Sequence, residues 1–174
     1  VPIDTEMRDP DEVWYYGTEA GVGGDPAKHT QPHLMFKARR DGDRIVEPVE
    51  MMRGPGLADP APLKMGDETL LFLTTKPGFA IGVASGQPLT ITREWQGVSV
   101  PHAMEVDGEV WLWAQRVVNG RMIPVRNRSL NDGKNWGHWD MPLSMEGIAG
   151  CGNPVGAVYR GRTVVFCVTE PVMK

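Results

Sequence analysis

The strongest indication of the fold is the segment Ser129-Leu130-Asn131-Asp132-Gly133-Lys134-Asn135-Trp136. Short polar side chains in such a stretch hydrogen-bond the backbone of a turn, and a glycine within it can adopt the positive φ of a tight corner. An apolar, strand-like run at residues 122–125 lies before it, and the tryptophan at its end can pack beneath the turn. The stretch therefore predicts a hairpin corner between two strands, which we call the 129–136 corner.

Four short apolar runs recur along the chain and indicate a repeated unit. A polar turn precedes each of the last three runs, and a proline (Pro60, Pro101 or Pro154) stands ten residues before an apolar residue of the run. These prolines are 41 and 53 residues apart, which is the size of a four-stranded propeller blade. The runs are Val13-Trp14-Tyr15-Tyr16, Leu70-Leu71-Phe72-Leu73, Val110-Trp111-Leu112-Trp113 and Val164-Val165-Phe166-Cys167.

Each unit continues with further strand patterns around a second polar turn. Third strands are predicted at residues 34–38, 80–84 and 122–125, and fourth strands at residues 44–49, 89–95 and roughly 138–143. The 129–136 corner therefore lies between the third and fourth strands of its unit. The last unit has patterns for two strands only.

The punctuation of the chain completes the prediction of fold class. Gly (21) and Pro (15) are spread throughout, and no sustained helical periodicity occurs between them. We predict an all-β, propeller-like chain of four-stranded antiparallel blades in about three and a half units. Residues 1–174 would form one domain, with units 1–56, 57–97, 98–150 and 151–174. An all-β sandwich is the alternative, but it does not require the repeated order of proline, turn and apolar run.

Composition excludes several classes of function. The net charge of -4 disfavours nucleic-acid binding, because the surface would repel phosphate. No run approaches the ~20 apolar residues of a membrane-spanning helix, so we predict no membrane insertion. No metal-ligand or cofactor motif occurs, and we predict neither. The compartment is left open, with a secreted or virion-associated soluble protein among the alternatives.

The two cysteines, Cys151 and Cys167, are too few for a disulfide framework. In a hairpin that turns near Gly161, they do not lie opposite each other. We therefore predict two reduced, buried thiols.

The 129–136 corner resembles the Asp-box of sialidases and related β-propellers, whose pattern is Ser/Thr-x-Asp-x-Gly-x-Thr/Ser-Trp. Ser129, Gly133 and Trp136 are in register, whereas Asn131 replaces the Asp and Asn135 replaces the Thr or Ser. In those proteins the box is structural and lies away from the active site. The resemblance therefore implies a fold and not a catalytic role.

A second resemblance concerns function. Leu57-Ala58-Asp59-Pro60, followed by the turn and strand of residues 66–73, is similar to the opening of a blade in furanosidase-type glycoside hydrolases. These are the five-bladed arabinanase, xylosidase and invertase-like enzymes. Pro2-Ile3-Asp4 resembles the first such blade. Those enzymes use a base or nucleophile, a pKa-modulating Asp and an acidic Glu, so the resemblance implies Asp4 as base or nucleophile and Asp59 as pKa modulator.

The general acid of that family does not have its counterpart here. Ser99-Val100-Pro101 stands where the family has Glu-Gly-Pro, and a serine cannot supply a proton of suitable pKa. Glu94, Glu105 and His102 are the nearby substitutes.

Three residues are candidates for substrate binding. His102 and Asn153 lie near the starts of the innermost strands, and Trp14 could stack on a sugar ring.

We predict a carbohydrate-interacting β-propeller that resembles glycoside hydrolases and hydrolyses glycosidic bonds with Asp4 and Asp59. The alternative is a non-catalytic glycan-binding or structural module of a larger assembly. Because an open sheet edge is normally covered, we also predict that an additional chain or self-association completes the last blade.

Overall fold

The computed structural model describes residues 11–18, 21–22, 33–76, 80–130 and 133–171. Within these ranges every regular element is a strand. In chain order they are β1 (Glu12–Thr18), β2 (Gly21–Val22), β3 (His33–Asp41), β4 (Arg44–Gly54), β5 (Ala58–Met65), β6 (Glu68–Lys76), β7 (Ala80–Ser85), β8 (Thr90–Gln96), β9 (Ser99–Val106), β10 (Glu109–Val118), β11 (Arg121–Ser129), β12 (Ile148–Tyr159) and β13 (Arg162–Pro171).

The strands form four antiparallel sheets that follow one another along the chain. Sheet 1 has the order β2-β1-β3-β4, sheet 2 the order β5-β6-β7-β8, sheet 3 the order β9-β10-β11, and sheet 4 pairs β12 with β13. Successive strands stay in one sheet, as in a propeller blade, and do not alternate between two sheets as in a sandwich. The all-β, propeller-like prediction is confirmed.

The apolar run at residues 70–73 is continuous because its sheet packs against another sheet on each face. Leu70 and Phe72 of β6 belong to a core shared with sheet 3, whereas Leu71 and Leu73 belong to a core shared with sheet 1. Successive strand residues point to opposite faces, so a strand buried on both faces needs apolar residues at every position. The run at residues 70–73 is therefore typical of a sheet that lies between two others.

The 129–136 corner has the geometry expected from its sequence. Ser129 and Trp136 form an isolated bridge, and Gly133 has a φ of 74°. The Trp136 Nε1 donates a hydrogen bond of 2.8 Å to the Gly133 carbonyl oxygen. Its ring packs edge-on against Phe72 and Trp95, with centroids 5.6 and 5.2 Å away. The corner thus joins sheet 3 to sheet 2, while residues 131–132 lie outside the described ranges.

The fourth strand predicted in the third unit, at roughly residues 138–143, is wrong. Only Arg126 and Asp140 pair there, through backbone bonds of 3.0 and 2.9 Å. Hydrogen-bonded pairs recur every second residue in an antiparallel ladder, so the next pair would be Pro124 and Pro142. Neither has an N–H group. The ladder therefore cannot extend toward residue 142, and sheet 3 keeps three strands in the described residues.

The prediction of two reduced thiols is also wrong. Cys151 and Cys167 form a disulfide, with their Cα atoms 5.5 Å apart. The register does separate them, since Cys151 pairs with Thr169. The ladder shifts between Gly152 and Val155, however, and this bulge brings the diagonal cysteines within the Cα separation that a disulfide needs. Disulfides form and persist in oxidising environments.

Within the described residues, there is no helix with the length and hydrophobicity that a membrane-spanning segment needs.

Candidate functional site

Three equivalent corners mark the first strands of sheets 2, 3 and 4. Asp59, Val100 and Asn153 have φ values of 50°, 54° and 49°, and each stands directly before one of the repeated prolines. The left-handed region is unfavourable for residues with a side chain, above all for a β-branched one. Retention of this conformation in three sheets shows that the repeat extends to the backbone. Such strain is concentrated at functional sites.

Each of the last two corners is hydrogen-bonded to the sheet before it. The Val100 amide donates to the Thr74 Oγ1 of β6 at 3.1 Å, and the Asn153 amide donates to the Gln115 Oε1 of β10 at 3.0 Å. Both acceptors lie on the second strand of the preceding sheet. The same device therefore links sheet 2 to sheet 3 and sheet 3 to sheet 4.

Asp59 is the carboxylate of this region. Its Oδ2 accepts a hydrogen bond of 2.8 Å from the Thr74 Oγ1. Burial raises the pKa of Asp59, and the hydrogen bond from Thr74 lowers it in part. Thr74 is only 1% exposed, so solvent has little access to the hydroxyl that joins Asp59 to Val100.

Ser99 stands where the resemblance to furanosidase-type glycoside hydrolases leads one to expect a general acid. Its hydroxyl is hydrogen-bonded within sheet 3. It is 1% exposed and accepts a hydrogen bond of 3.2 Å from the Gln115 Nε2. Gln115 thus contacts Ser99 in its own sheet and Asn153 in the next. We call Asp59, Thr74, Ser99, Val100, Gln115 and Asn153 the inter-sheet network.

Neither glutamate proposed as a substitute acid joins this network. Glu94 lies on β8 and accepts hydrogen bonds from the Thr75 Oγ1, at 2.6 Å, and from Gln96. Glu105 pairs with Val110 near the far end of β9.

His102 packs inward and holds two sheets together. Its Nδ1 accepts a hydrogen bond of 3.3 Å from the Gly156 amide of β12. This places the ring between sheets 3 and 4, near the network but engaged with backbone.

The remaining sequence candidates are separated. Asn153 belongs to the network and its side chain is exposed. Trp14 packs on the core between sheets 1 and 2, and its Nε1 donates to the Glu12 Oε1 at 2.5 Å. Asp4 lies outside the described residues. The structure thus links Asp59 to Val100 through Thr74, and Ser99 to Asn153 through Gln115, and the two links meet at the adjacent residues Ser99 and Val100.

Sequence reasoning missed Thr74 and Gln115. A signal was present, because each is a polar residue that follows an apolar run on the second strand of its unit, after residues 70–73 and 110–114. Polar side chains at that point of a strand are common, so the pattern alone could not assign them a partner.

Other surface features lie away from the network. Two open clefts of about 460 and 440 Å³ border β11 and sheet 1, and neither includes Asp59. In the described part of the chain, no cluster of three His, Cys, Asp or Glu side chains could hold a metal ion. The first cleft, which we call the corner cleft, is lined by Arg126, Arg128, Leu130, Asn135, Trp136, Gly137, His138 and Asp140.

We expect Val100→Asn to raise the free energy of unfolding by about 1 kcal/mol, because asparagine tolerates the left-handed region better than a β-branched residue. The Val100 amide that bonds Thr74 is unchanged by this substitution. Urea unfolding of the variant measures the effect. Val106→Asn, in the same strand and also half-buried, is the control and should destabilise the chain. Equal losses in both variants would contradict the strain.

Neither a protein-family model nor the sequence of a curated protein matches this chain. Solved structures are similar in fold. A variant of exo-beta-1,3-galactanase from Phanerochaete chrysosporium with beta-1,3-galactotriose is 11% identical, with a TM-score of 0.54 over 92% of this chain and 45% of that chain. A mutant of the GH43 protein BlXynB from Bacillus licheniformis is 15% identical, with a TM-score of 0.56 over 93% of this chain and 36% of that chain. The chain thus shares the fold of these propellers and spans less than half of their length.

Proposed function

We propose that this chain belongs to a glycoside hydrolase-like propeller and binds a carbohydrate at the inter-sheet network. The Asp59 carboxylate would accept hydrogen bonds from the sugar. The observation that carries the proposal is the half-buried Asp59 carboxylate, which accepts a hydrogen bond from Thr74 and lies at a corner with positive φ. A carboxylate whose pKa is raised by burial is unfavourable for folding and is typical of functional sites. Carboxylates also accept hydrogen bonds from sugar hydroxyls.

Two further considerations support a carbohydrate as the ligand. The sequence around Asp59 and Pro60 resembles the blade opening of furanosidase-type glycoside hydrolases. The galactanase of similar fold is described with beta-1,3-galactotriose. Of the three proposed substrate-binding residues, Asn153 is the best placed, since it belongs to the network and its side chain is exposed.

Binding is the primary proposal because the described residues supply one network carboxylate. Hydrolysis needs two carboxyl groups of different protonation state. The second would be Asp4, and an acid would still be needed in place of Ser99. Hydrolysis by Asp4 and Asp59 is the second candidate, favoured by the raised pKa of Asp59.

Calorimetric titration with β-1,3-galactotriose, xylotriose and arabinotriose tests binding. Wild type should bind at least one of them, and Asp59→Asn should lower the affinity about tenfold, because hydrogen bonds to charged groups contribute about 1.5–3 kcal/mol. Asp67→Asn neutralises an exposed carboxylate in the same sheet and should bind as wild type does. Absence of binding by wild type, or equal affinity of wild type and Asp59→Asn, would contradict the proposal.

Aryl glycosides separate binding from hydrolysis. Turnover by wild type that is lost in Asp59→Asn would support the enzyme. Binding without turnover would support the non-catalytic module.

We also propose that strands from an additional chain, or from self-association, cover sheet 4. Its face away from sheet 3 carries Val155, Phe166 and Val168, of which the last two are 58 and 64% exposed. In the described residues β13 pairs only with β12, so its other edge is open. Light scattering of wild type and Phe166→Ser separates the two: a concentration-dependent mass that the substitution reduces supports self-association, whereas a monomer in both excludes self-association and leaves the additional chain.

Asp59→Asn should also change the pH dependence of stability. Since the folded chain raises the pKa of Asp59, it binds the proton more tightly than the unfolded chain does, and stability falls as pH rises from the ordinary value of 3.8 through the raised value. Asn avoids this loss, so the variant should be more stable than wild type by roughly 1 kcal/mol at pH 7. Urea unfolding should be followed from about pH 3.5, just below the ordinary value of 3.8, to about pH 7.5. The stability advantage of the variant should shrink toward low pH. An advantage that is constant with pH would contradict it.

A further inference from the structure

Thr74 occupies a position that no sequence pattern assigned to the site. Its hydroxyl lies between two sheets, donating to the Asp59 Oδ2 at 2.8 Å and accepting from the Val100 amide at 3.1 Å. A hydroxyl has one hydrogen to donate and lone pairs to accept, so both bonds form at once. Thr74 is 1% exposed, so water has little access to its hydroxyl.

We infer that Thr74 is a positioning residue, which fixes the Asp59 carboxylate relative to the Val100 corner of the next sheet. The inference rests on the proposed function, because Asp59 matters here as the side chain that contacts the carbohydrate. It adds that the site is set across the boundary between sheets 2 and 3, and not within sheet 2 alone.

Gln115 repeats the arrangement one sheet further on. Its amide donates to the Ser99 Oγ at 3.2 Å and its Oε1 accepts from the Asn153 amide at 3.0 Å. Thr74 and Gln115 thus each link the first strand of their own sheet to the positive-φ corner of the next sheet. The recurrence, with different residue types, argues that the link is a requirement of the corners and not an accident of one threonine.

The adjacent residue provides a matched control. Thr75 is also buried and donates a hydrogen bond, but to the Glu94 Oε2 at 2.6 Å. Thr74→Val and Thr75→Val therefore each remove one buried hydroxyl from the same strand, with almost no change of shape. Only the first removes a partner of Asp59.

The test is the carboxyl pKa of Asp59, followed by carbon-13 NMR in wild type, Thr74→Val, Thr74→Ser and Thr75→Val. Loss of the Thr74 hydroxyl should raise the pKa above that of wild type, since the hydrogen bond favours the carboxylate. Thr74→Ser keeps a hydroxyl and should have the wild-type pKa of Asp59. Thr75→Val should leave this pKa unchanged. Affinity for the bound trisaccharide should fall about tenfold in Thr74→Val only.

An unchanged pKa of Asp59 in Thr74→Val, or the same change in Thr75→Val, would overturn the inference. If Thr74→Val does not fold, amide exchange in wild type decides: the Val100 amide should exchange slowly, and rapid exchange would overturn the link. The NMR measurements need no ligand. A wild type that binds no carbohydrate would therefore contradict the proposed function and leave the positioning role to be decided by the pKa.

Discussion

Gly156→Ala should lower the free energy of unfolding by about 3 kcal/mol, the upper part of the usual range for overpacking. A Cβ at this position would lie 2.5 Å from the Trp113 Nε1 and 2.7 Å from the Met104 Sδ. Trp113 is almost fully buried and cannot move aside without displacing the core between sheets 3 and 4. The Gly156 amide also donates to His102, so a shift of β12 would lengthen that bond.

Gly150→Ala is the matched control for this prediction. Gly150 is buried on the same strand, but a Cβ there would meet no atom closer than 3.7 Å. Its substitution should change stability by less than about 0.5 kcal/mol. Urea unfolding of both variants makes the comparison. Similar losses at the two positions would show that β12 does not pack as closely on Trp113 as described.

Reduction of the Cys151–Cys167 disulfide should lower the free energy of unfolding by about 3 kcal/mol. The disulfide closes a loop with a sequence separation of 16 residues, and a loop of that size restricts the unfolded chain by about this amount. It also spans the bulge that carries Asn153, in a sheet of only two strands. With only two strands, sheet 4 therefore gains more stability from its disulfide than the four-stranded sheets 1 and 2 would gain from one.

Urea unfolding with and without reductant measures this effect. The double variant Cys151→Ser and Cys167→Ser is the control, since its stability should not respond to reductant. Two thiols per chain that react under non-reducing, denaturing conditions would contradict the disulfide.

The order of the strands was predictable because it follows from residue types that lie close together in the sequence. Continuous apolar runs such as residues 70–73 indicate strands buried on both faces, and the polar turns and repeated prolines mark where the strands begin and end. Gly133 and Trp136 predicted the corner for the same reason. The missing fourth strand of sheet 3 was harder, because Pro124 and Pro142 exclude a ladder only once they are known to face each other. Which residues face each other depends on how the strands pair in the folded chain.

The site was predictable only in part, for a similar reason. Asp59 was found because Leu57-Ala58-Asp59-Pro60 resembles the blade opening of furanosidase-type glycoside hydrolases. Thr74 and Gln115 were not, since their roles depend on atoms 26 and 38 residues away in sequence. The disulfide was missed because a bulge shifts the register of the hairpin. No residue pattern in the hairpin predicted that bulge.

The central claim is that a carbohydrate binds at the inter-sheet network, and its most direct test is an amide NMR titration of wild type with the trisaccharide panel. We expect saturable shifts at the Val100 and Asn153 amides, at one affinity and on neighbouring sheets, with no comparable change at His138 in the corner cleft. Shifts confined to the corner cleft, or none at any trisaccharide concentration, would contradict it.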